Sequence, residues 1–361
     1  MALTTDVSSS SPQAKRAGPP QLGPALKKAA RVTETLGLGW LAPLLSLAAG
    51  EPSKSELPKL WERLGLPCLA LALFALAWAS LAPQVQTSLG AIPGPVQVAE
   101  QAGALLQEHA VERQRAREFY ARQEARNAAI RAQNPDAEVR TRAYTGRPTF
   151  IDQILTSLKT VFLGFVLASL VAIPLGVACG LSRSLNAALN PIVQILKPVS
   201  PLAWLPIVTM VVSALVAGDD PSLPKSMINS AVTVTLCSLW PTLINTSVGV
   251  ASIDKDLLNV GRVLRLGAMT KIIRLVLPSA LPYIFTGLRL SLGVGWMVLI
   301  AAEMLAQNPG LGKFVWDEFQ NGSSASLARI MVAVLTIGFI GFLLDRLMLT
   351  LQTAFAPQQS H

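Results

Sequence analysis

Apolar residues in this chain come in long, nearly uncharged blocks separated by short polar breaks. Six blocks reach membrane-crossing length, about 20 residues for ~30 Å of hydrocarbon: residues 64–82, 154–179, 190–217, 227–251, 281–305 and 327–351. A shorter block, 36–49, is broken by Gly37, Gly39 and Pro43 and suits an interfacial segment better than a span. Pro174, Pro191, Pro198, Pro201 and Pro206 sit inside or at the ends of the second and third spans and predict kinks there. Gly176 and Gly180 form a GxxxG at the end of the second span. Such a pair either lets two helices approach closely or merely marks a helix end beside a turn.

Two polar stretches have a helical period. In the segment 83–152, whose centre is 96–132, Glu108, Glu112, Arg115, Glu118, Arg122 and Arg126 recur every three or four residues, which predicts a solvent-exposed helix. All nine basic residues of the segment are Arg, and eight acids balance them. In 252–278, Lys255, Arg262, Arg265, Lys271 and Arg274 alternate with aliphatic residues. Leu257, Val260, Gly261 and Leu264 share one helix face, while Asp256, Asn259, Arg262 and Arg265 point elsewhere. An apolar ridge with a Gly in it fits a groove of a soluble partner, basic residues on the rim. The same pattern also serves a helix lying on anionic lipid.

Composition agrees with a membrane protein: 51% of the 361 residues are hydrophobic, 14% are charged and mean hydropathy is +0.47, against roughly 25% charged in soluble domains. The net charge of +9 would suggest nucleic acid in a soluble protein, but it is spread over membrane flanks, and no nucleic-acid partner is expected. Residues 1–63 hold eight of the 30 basic residues; the stretch 1–35, rich in Ser, Pro and Ala and without an apolar h-region, reads as a solvated tail. Short loops with excess Lys and Arg, namely the flank before residue 64, the stretch 181–190 and the loop 252–278, fall on one side of six crossings. That side is expected to be the cytoplasm, with both termini in it. Cys68, Cys179 and Cys237 lie in apolar runs, and His109 and His361 have no partner spacing, so neither metal, disulfide nor catalytic group is indicated.

Few ionisable residues fall in the spans. Glu303 reads as a functional candidate by default or as a hydrogen-bond partner for a neighbouring helix, and a carboxylate in the path of an anion would repel it. Lys159 and Lys197 suit an anion path by sign, or snorkel to an interface. Ser200 and Trp204 follow Lys197 and could line the same cavity. No internal repeat and no acid–base pair, which an ATP-independent secondary transporter would use, is read in the spans. Gly310-Leu311-Gly312-Lys313 has a superficial likeness to a phosphate loop but lacks the earlier Gly, the following Ser or Thr and a preceding strand. ATP and Mg are therefore expected on another subunit and no cofactor on this chain.

The loop 252–278 resembles the EAA loop of ABC-importer permeases. Counting back from Leu277-Pro278, Leu275 falls on the pattern's Ile, Arg265 on its Gly and Asn259-Val260-Gly261 on its Glu-Ala-Ala. Lys197-Pro198-Val199-Ser200-Pro201, Pro282-Tyr283-Ile284-Phe285-Thr286-Gly287-Leu288-Arg289, Ala301-Ala302-Glu303 and Gly310-Leu311-Gly312 are similar to the nitrate permeases and their sulfonate, taurine and bicarbonate relatives. The resemblance covers about 150–350 and implies an all-α polytopic protein of six transmembrane helices with the type I ABC importer permease fold, a coupling loop and a long periplasmic helical insertion. It implies a cytoplasmic tail 1–63, a first span 64–82, the insertion 83–152, a permease core 153–352 and a tail 353–361 in a bacterial inner membrane. It also implies a homodimer, cytoplasmic ATPase subunits gripping the loop through Asp256, Leu257, Asn259, Val260, Gly261, Arg262, Leu264, Arg265, Gly267, Leu277 and Pro278, and a periplasmic or lipid-anchored solute-binding protein. Nitrate is the expected cargo, with nitrite, cyanate, bicarbonate, taurine or an alkanesulfonate as alternatives. A membrane anchor that recruits a cytosolic complex without moving solute is the rival from another class.

Overall fold

The structure, a computed structural model, describes residues 61–87, 90–134, 139, 141–216 and 223–355. The expected interfacial segment 36–49, the rest of the tail before Trp61 and the last residues from 356 lie outside the described residues. The chain divides after Leu69. Of the first unit, the described residues are a π turn, Trp61–Gly65, and the start of helix α1, Leu66–Leu81, whose remainder belongs to the second unit.

The regular elements described in the second unit are helices and a two-residue strand pair, Gln86–Thr87 with Gly90–Ala91. Helix α2, Pro95–Gln133, starts on Gly94 with Pro95 in its first turn, where the missing N–H costs nothing. Helix α3, Phe150–Leu181, starts with a reciprocal cap. Thr149 Oγ1 accepts from the Asp152 N–H, and the Asp152 carboxylate accepts from the Thr149 N–H at 3.1 Å. There follow α4, Arg183–Leu196, α5, Pro201–Leu215, and α6, Lys225–Ala251. The loop between spans holds α7, Lys255–Val263, and a short turn, α8, Ala268–Lys271. The π turn Ile272–Val276 then runs into α9, Leu277–Ala306. A short α10, Leu311–Asn321, and the long α11, Ser324–Phe355, complete the unit.

The third apolar block is not one straight helix. It divides into α4 and α5, bent by 103°, because Lys197 to Ser200 carry two devices that end one helix and start another. Pro198 and Pro201 withhold N–H groups from any continuous ladder. Ser200 takes the N-cap position, its hydroxyl accepting from the Leu202 N–H at 3.3 Å. Among the described residues, five helices are long and apolar enough to cross a membrane, or six if the bent pair counts as one crossing.

The helix directions favour counting it. Along α3, a Cβ added to Gly164, Gly176 or Gly180 would come within 3 Å of Ala231 and Val234, of Leu243 and Thr246, or of Ser247 and Val250. The sequence offset is the same at all three places, so α3 and α6 run parallel. Two parallel spans close in sequence need a crossing between them, and between them lies only the bent pair and its flanks. α9 is antiparallel to α6, since Gly249 meets Tyr283 at one end and Gly295 approaches Val234 and Ser238 at the other. α11 is antiparallel to α9, pairing Trp296 with Ile337 and Arg289 with Asp345. The C-terminal ends of α3, α6 and α11 and the loop 252–278 therefore share one end of the bundle. The start of α3, the end of α9, α10 and the start of α11 share the other.

Small residues make that packing close. Gly164, Ala168, Ala172, Gly176 and Gly180 recur every four residues along α3 and face α6, so the backbones approach where larger side chains would hold them apart. The GxxxG read from the sequence is the end of this longer stripe. The largest buried cluster joins α3, α6, α9, α10 and α11 through Val161, Val234, Trp296, Leu299, Leu311 and Val332, with Val98 and Leu105 of α2 on its edge.

Candidate functional site

Helix α7 stands at the surface end of the bundle. Asp254 starts it, accepting the Asp256 N–H at 2.9 Å, and it ends in a Schellman motif. The Leu266 N–H bonds the Gly261 carbonyl at 3.1 Å and the Arg265 N–H bonds the Arg262 carbonyl at 2.9 Å. The residue at the centre of that motif must turn left-handed, and it is Arg265, at φ 50°. This is the position where the EAA pattern carries Gly. A Gly would meet that backbone need without strain; this chain meets it with an Arg at a cost of about 1 kcal/mol.

The faces of α7 differ in one respect from the sequence reading. Gly261 is buried and turned inward: a Cβ there would come within 2.8 Å of Leu275 Cδ1. It lets α7 lie down on the returning π turn and does not belong to the outward ridge. That ridge is made by Leu257, Val260 and Leu264 together with Val263, 82% exposed, and Met269 continues it. Arg262 hydrogen-bonds Asn259 at 3.3 Å and, like Arg265 and Asp256, is exposed at the rim. Gly267 starts the α8 turn in open space, its carbonyl accepting from the Lys271 N–H. Leu277 packs into the cluster of Val250, Val276 and Ile284, and the exposed Pro278 sits in the first turn of α9.

At the far end of the bundle Glu303 is fully buried. It accepts from the Ser157 hydroxyl of α3 (2.8 and 2.9 Å to the two oxygens), from the Gly312 N–H at 3.0 Å and from Asn308 Nδ2 at 3.4 Å. Ser157 in turn accepts the Leu311 N–H at 2.8 Å. The carboxylate therefore closes the exposed donors at the start of α10, where a negative charge is favoured, and ties α9, α3 and α10 together. Gly310 and Gly312 make room for it: a Cβ on the first would meet the carboxylate at 2.1 Å, and one on the second the Ile300 carbonyl at the same distance. The Gly-Leu-Gly that imitates a phosphate loop is a seat for a side chain of the same protein.

The other residues considered for a solute path are not gathered in one place. Lys159 is exposed on the face of α3 that also carries Leu155 and Phe162. Lys197 and Ser200 are exposed at the bend between α4 and α5, with Trp204 one turn on, half-buried and its Nε1 without an acceptor among the described residues. A pair that the sequence reading missed lies elsewhere. Arg289 near the middle of α9 makes a two-pronged ion pair with Asp345 of α11, Nε to Oδ1 at 2.5 Å and Nη2 to Oδ2 at 2.8 Å. The expectation that the spans hold no acid–base pair is thereby corrected. The partners stand 56 residues apart, so only helix packing brings them together. An Arg deep in one long apolar block and an Asp beside Arg346 deep in another were the available signal.

Outside the spans, α2 is fastened by charge. Arg329 at the start of α11 bonds Glu108 of α2 and also Glu318 of α10 at 3.2 Å. Arg113 pairs with Asp152, and His109 Nδ1 lies 2.6 Å from Thr149 Oγ1, at the cap of α3. Tyr144 donates to Glu112 at 2.8 Å, and that carboxylate holds its phenol above the usual tyrosine range. These contacts surround a cavity of about 630 Å3 between α2, α3, α10 and α11.

A family model described as the binding-protein-dependent transport system inner membrane component matches residues 172–360. The nitrate import permease protein NrtB of Synechococcus elongatus is 37% identical over 195 residues, which is 54% of this chain and 66% of that protein. The NrtB of Synechocystis sp. is 38% identical over 207 residues, 57% of this chain and 70% of the relative. The bicarbonate transport system permease protein CmpB of Synechocystis sp. is 42% identical over 208 residues, 57% and 69% of the two chains. The chain thus spans about two thirds of the length of these relatives. A solved structure titled for inward-facing conformations of the MetNI methionine ABC transporter is alike at a TM-score of 0.45 and 16% identity, covering 55% of this chain and 94% of that one, a likeness too slight to build on. With its apolar helices, its exposed loop between α6 and α9 and a family model that matches half its length, the chain belongs to the binding-protein-dependent transport system inner membrane components.

Proposed function

We propose that this chain is the permease subunit of an ATP-driven importer for nitrate, with bicarbonate the nearest alternative cargo. The observation that carries the coupling part is the exposed apolar ridge of α7, set on a capped helix between two spans and rimmed by Arg262 and Arg265. Large aliphatic side chains so exposed beyond the ends of the spans suit a soluble partner. The ridge would seat in a groove of a cytoplasmic ATPase, which would bind the ATP and Mg.

In this reading the loop end of the bundle faces the cytoplasm, with the end of α11 at Phe355 beside it, and α2 stands outside. Two copies of the chain form the translocation unit and receive solute from an external binding protein. ATP-driven closure of the ATPases draws the loops together and rocks the bundles between inward- and outward-facing states; hydrolysis resets them. Nitrate is supported by the NrtB matches at 37% and 38% identity, and the CmpB match at 42% keeps bicarbonate the nearest alternative. Lys159, Lys197, Ser200 and Trp204 remain proposed contributors to the path. Glu303 is proposed to act on that path indirectly, by fixing α10.

The test is charge reversal, Arg262→Glu with Arg265→Glu, read by ATPase co-purification and labelled nitrate uptake. Loss of both, with the permease still inserted, is expected. Unchanged uptake would sink the coupling role, and a chain that binds ATPase yet never supports uptake would point to an anchor.

A further inference from the structure

One face of α9 packs on α6, and the opposite face lines an open groove of about 1150 Å3 against α11. The groove begins at Pro282, one turn beyond the loop's Pro278, and runs past Tyr283, Thr286 and Arg289 to Met297. Gln352 of α11 hydrogen-bonds Thr286 across it. Among the described residues, the charges lining it are Arg289 and Asp345, each 38% exposed as a side chain. An ion pair meant only to clamp two helices would be closed over by side chains, because a charge facing hydrocarbon costs several kcal/mol. This one opens into the groove.

We propose that Arg289 is a binding site for a planar oxyanion within this groove, with Asp345 setting its strength. Asp345 takes the edge of the guanidinium formed by Nε and Nη2. Nη1 makes no hydrogen bond among the described residues, so the end-on edge of the planar fork remains for a second acceptor. Two oxygens of a trigonal anion match that edge as a carboxylate does. Asp345 keeps the pair neutral, which weakens the hold on the anion. A transport site needs that, since it must release what it binds. Thr286 and Gln352 stand beside it as further hydrogen-bonding groups. The inference deepens the importer reading and rests on it for the choice of anion.

The test uses the full chain in lipid nanodiscs. Phenylglyoxal modification of Arg289 is followed by peptide mass spectrometry against sodium nitrate, sodium chloride and sodium methanesulfonate at equal ionic strength. Nitrate is expected to slow modification of Arg289 several-fold where chloride and methanesulfonate do not. In Asp345→Asn the half-protecting nitrate concentration should fall at least three-fold, and in the assembled transporter the KM and the maximal rate of uptake should fall together. No protection in the wild-type chain, or equal protection by all three salts, overturns the site without any variant having to fold. Specific protection in a chain that supports no nitrate uptake upholds the site and overturns the importer reading instead.

Discussion

Arg265 stands in a left-handed conformation at the end of α7, φ 50°. A left-handed residue closing a helix is ordinarily Gly, and an Arg there is retained against a local penalty. Arg265→Gly should slow hydrogen exchange of the Leu264, Arg265 and Leu266 amides by about five-fold, the equivalent of ~1 kcal/mol, while lowering ATPase co-purification. Unchanged or faster exchange would show that the loop is not strained. Glu303 presents the opposite case, a charge with every near neighbour arranged around it. Glu303→Ala strands Ser157 and the Gly312 N–H, each at about 1–3 kcal/mol when buried without a partner. Gly312→Ala drives a methyl into the Ile300 carbonyl. Both variants should lower the melting temperature in detergent by several degrees, and Gly312→Ala should do so although it removes no hydrogen bond. A wild-type melting curve for Gly312→Ala would contradict the geometry.

Among the helices, the α3–α6 pair is the part most exposed to a single methyl group. Its stripe of small residues leaves the α6 backbone within 3 Å of where a side chain would begin at Gly164, Gly176 and Gly180. Gly176→Val must part the two helices or shift one along the other, a cost of about 1–3 kcal/mol for overpacking. The expected result is a lowered melting temperature with insertion intact, while Gly293→Val, at a glycine with no atom close to its Cβ position, should leave it unchanged. Equal behaviour of the two would mean that the stripe is not a contact. The bend between α4 and α5 belongs here too. The sequence showed the prolines, but whether they kink one span or divide it into two helices depended on Ser200 capping a new start.

For the molecule as a whole, helix α2 is the element least explained by a bundle of spans. It is tied to the starts of α3 and α11 through Asp152, Thr149 and Arg329, the end of the bundle far from the loop. A helix so fastened can brace that end or offer the exposed arginines of its second half to an incoming binding protein. Deletion of residues 100–140 should abolish nitrate uptake while ATPase co-purification persists, because the loop lies at the other end. Uptake at the wild-type level after the deletion would reject any transport role for α2.

Length and apolarity alone determined that this chain is a set of membrane helices with two polar interruptions, since lipid leaves a backbone few other ways to satisfy its hydrogen bonds. The periodicity of Leu257, Val260 and Leu264 likewise marked α7, because neighbours on a helix are set by local geometry. What depends on meetings between distant residues was decided only in three dimensions. The inward turn of Gly261 onto Leu275, the seat of Glu303 among Ser157, Asn308 and Gly312, and the pairing of Arg289 with Asp345 all join groups from different helices or turns. An isolated charge in an apolar run announces that it needs a partner or water, but the choice of partner is made by packing.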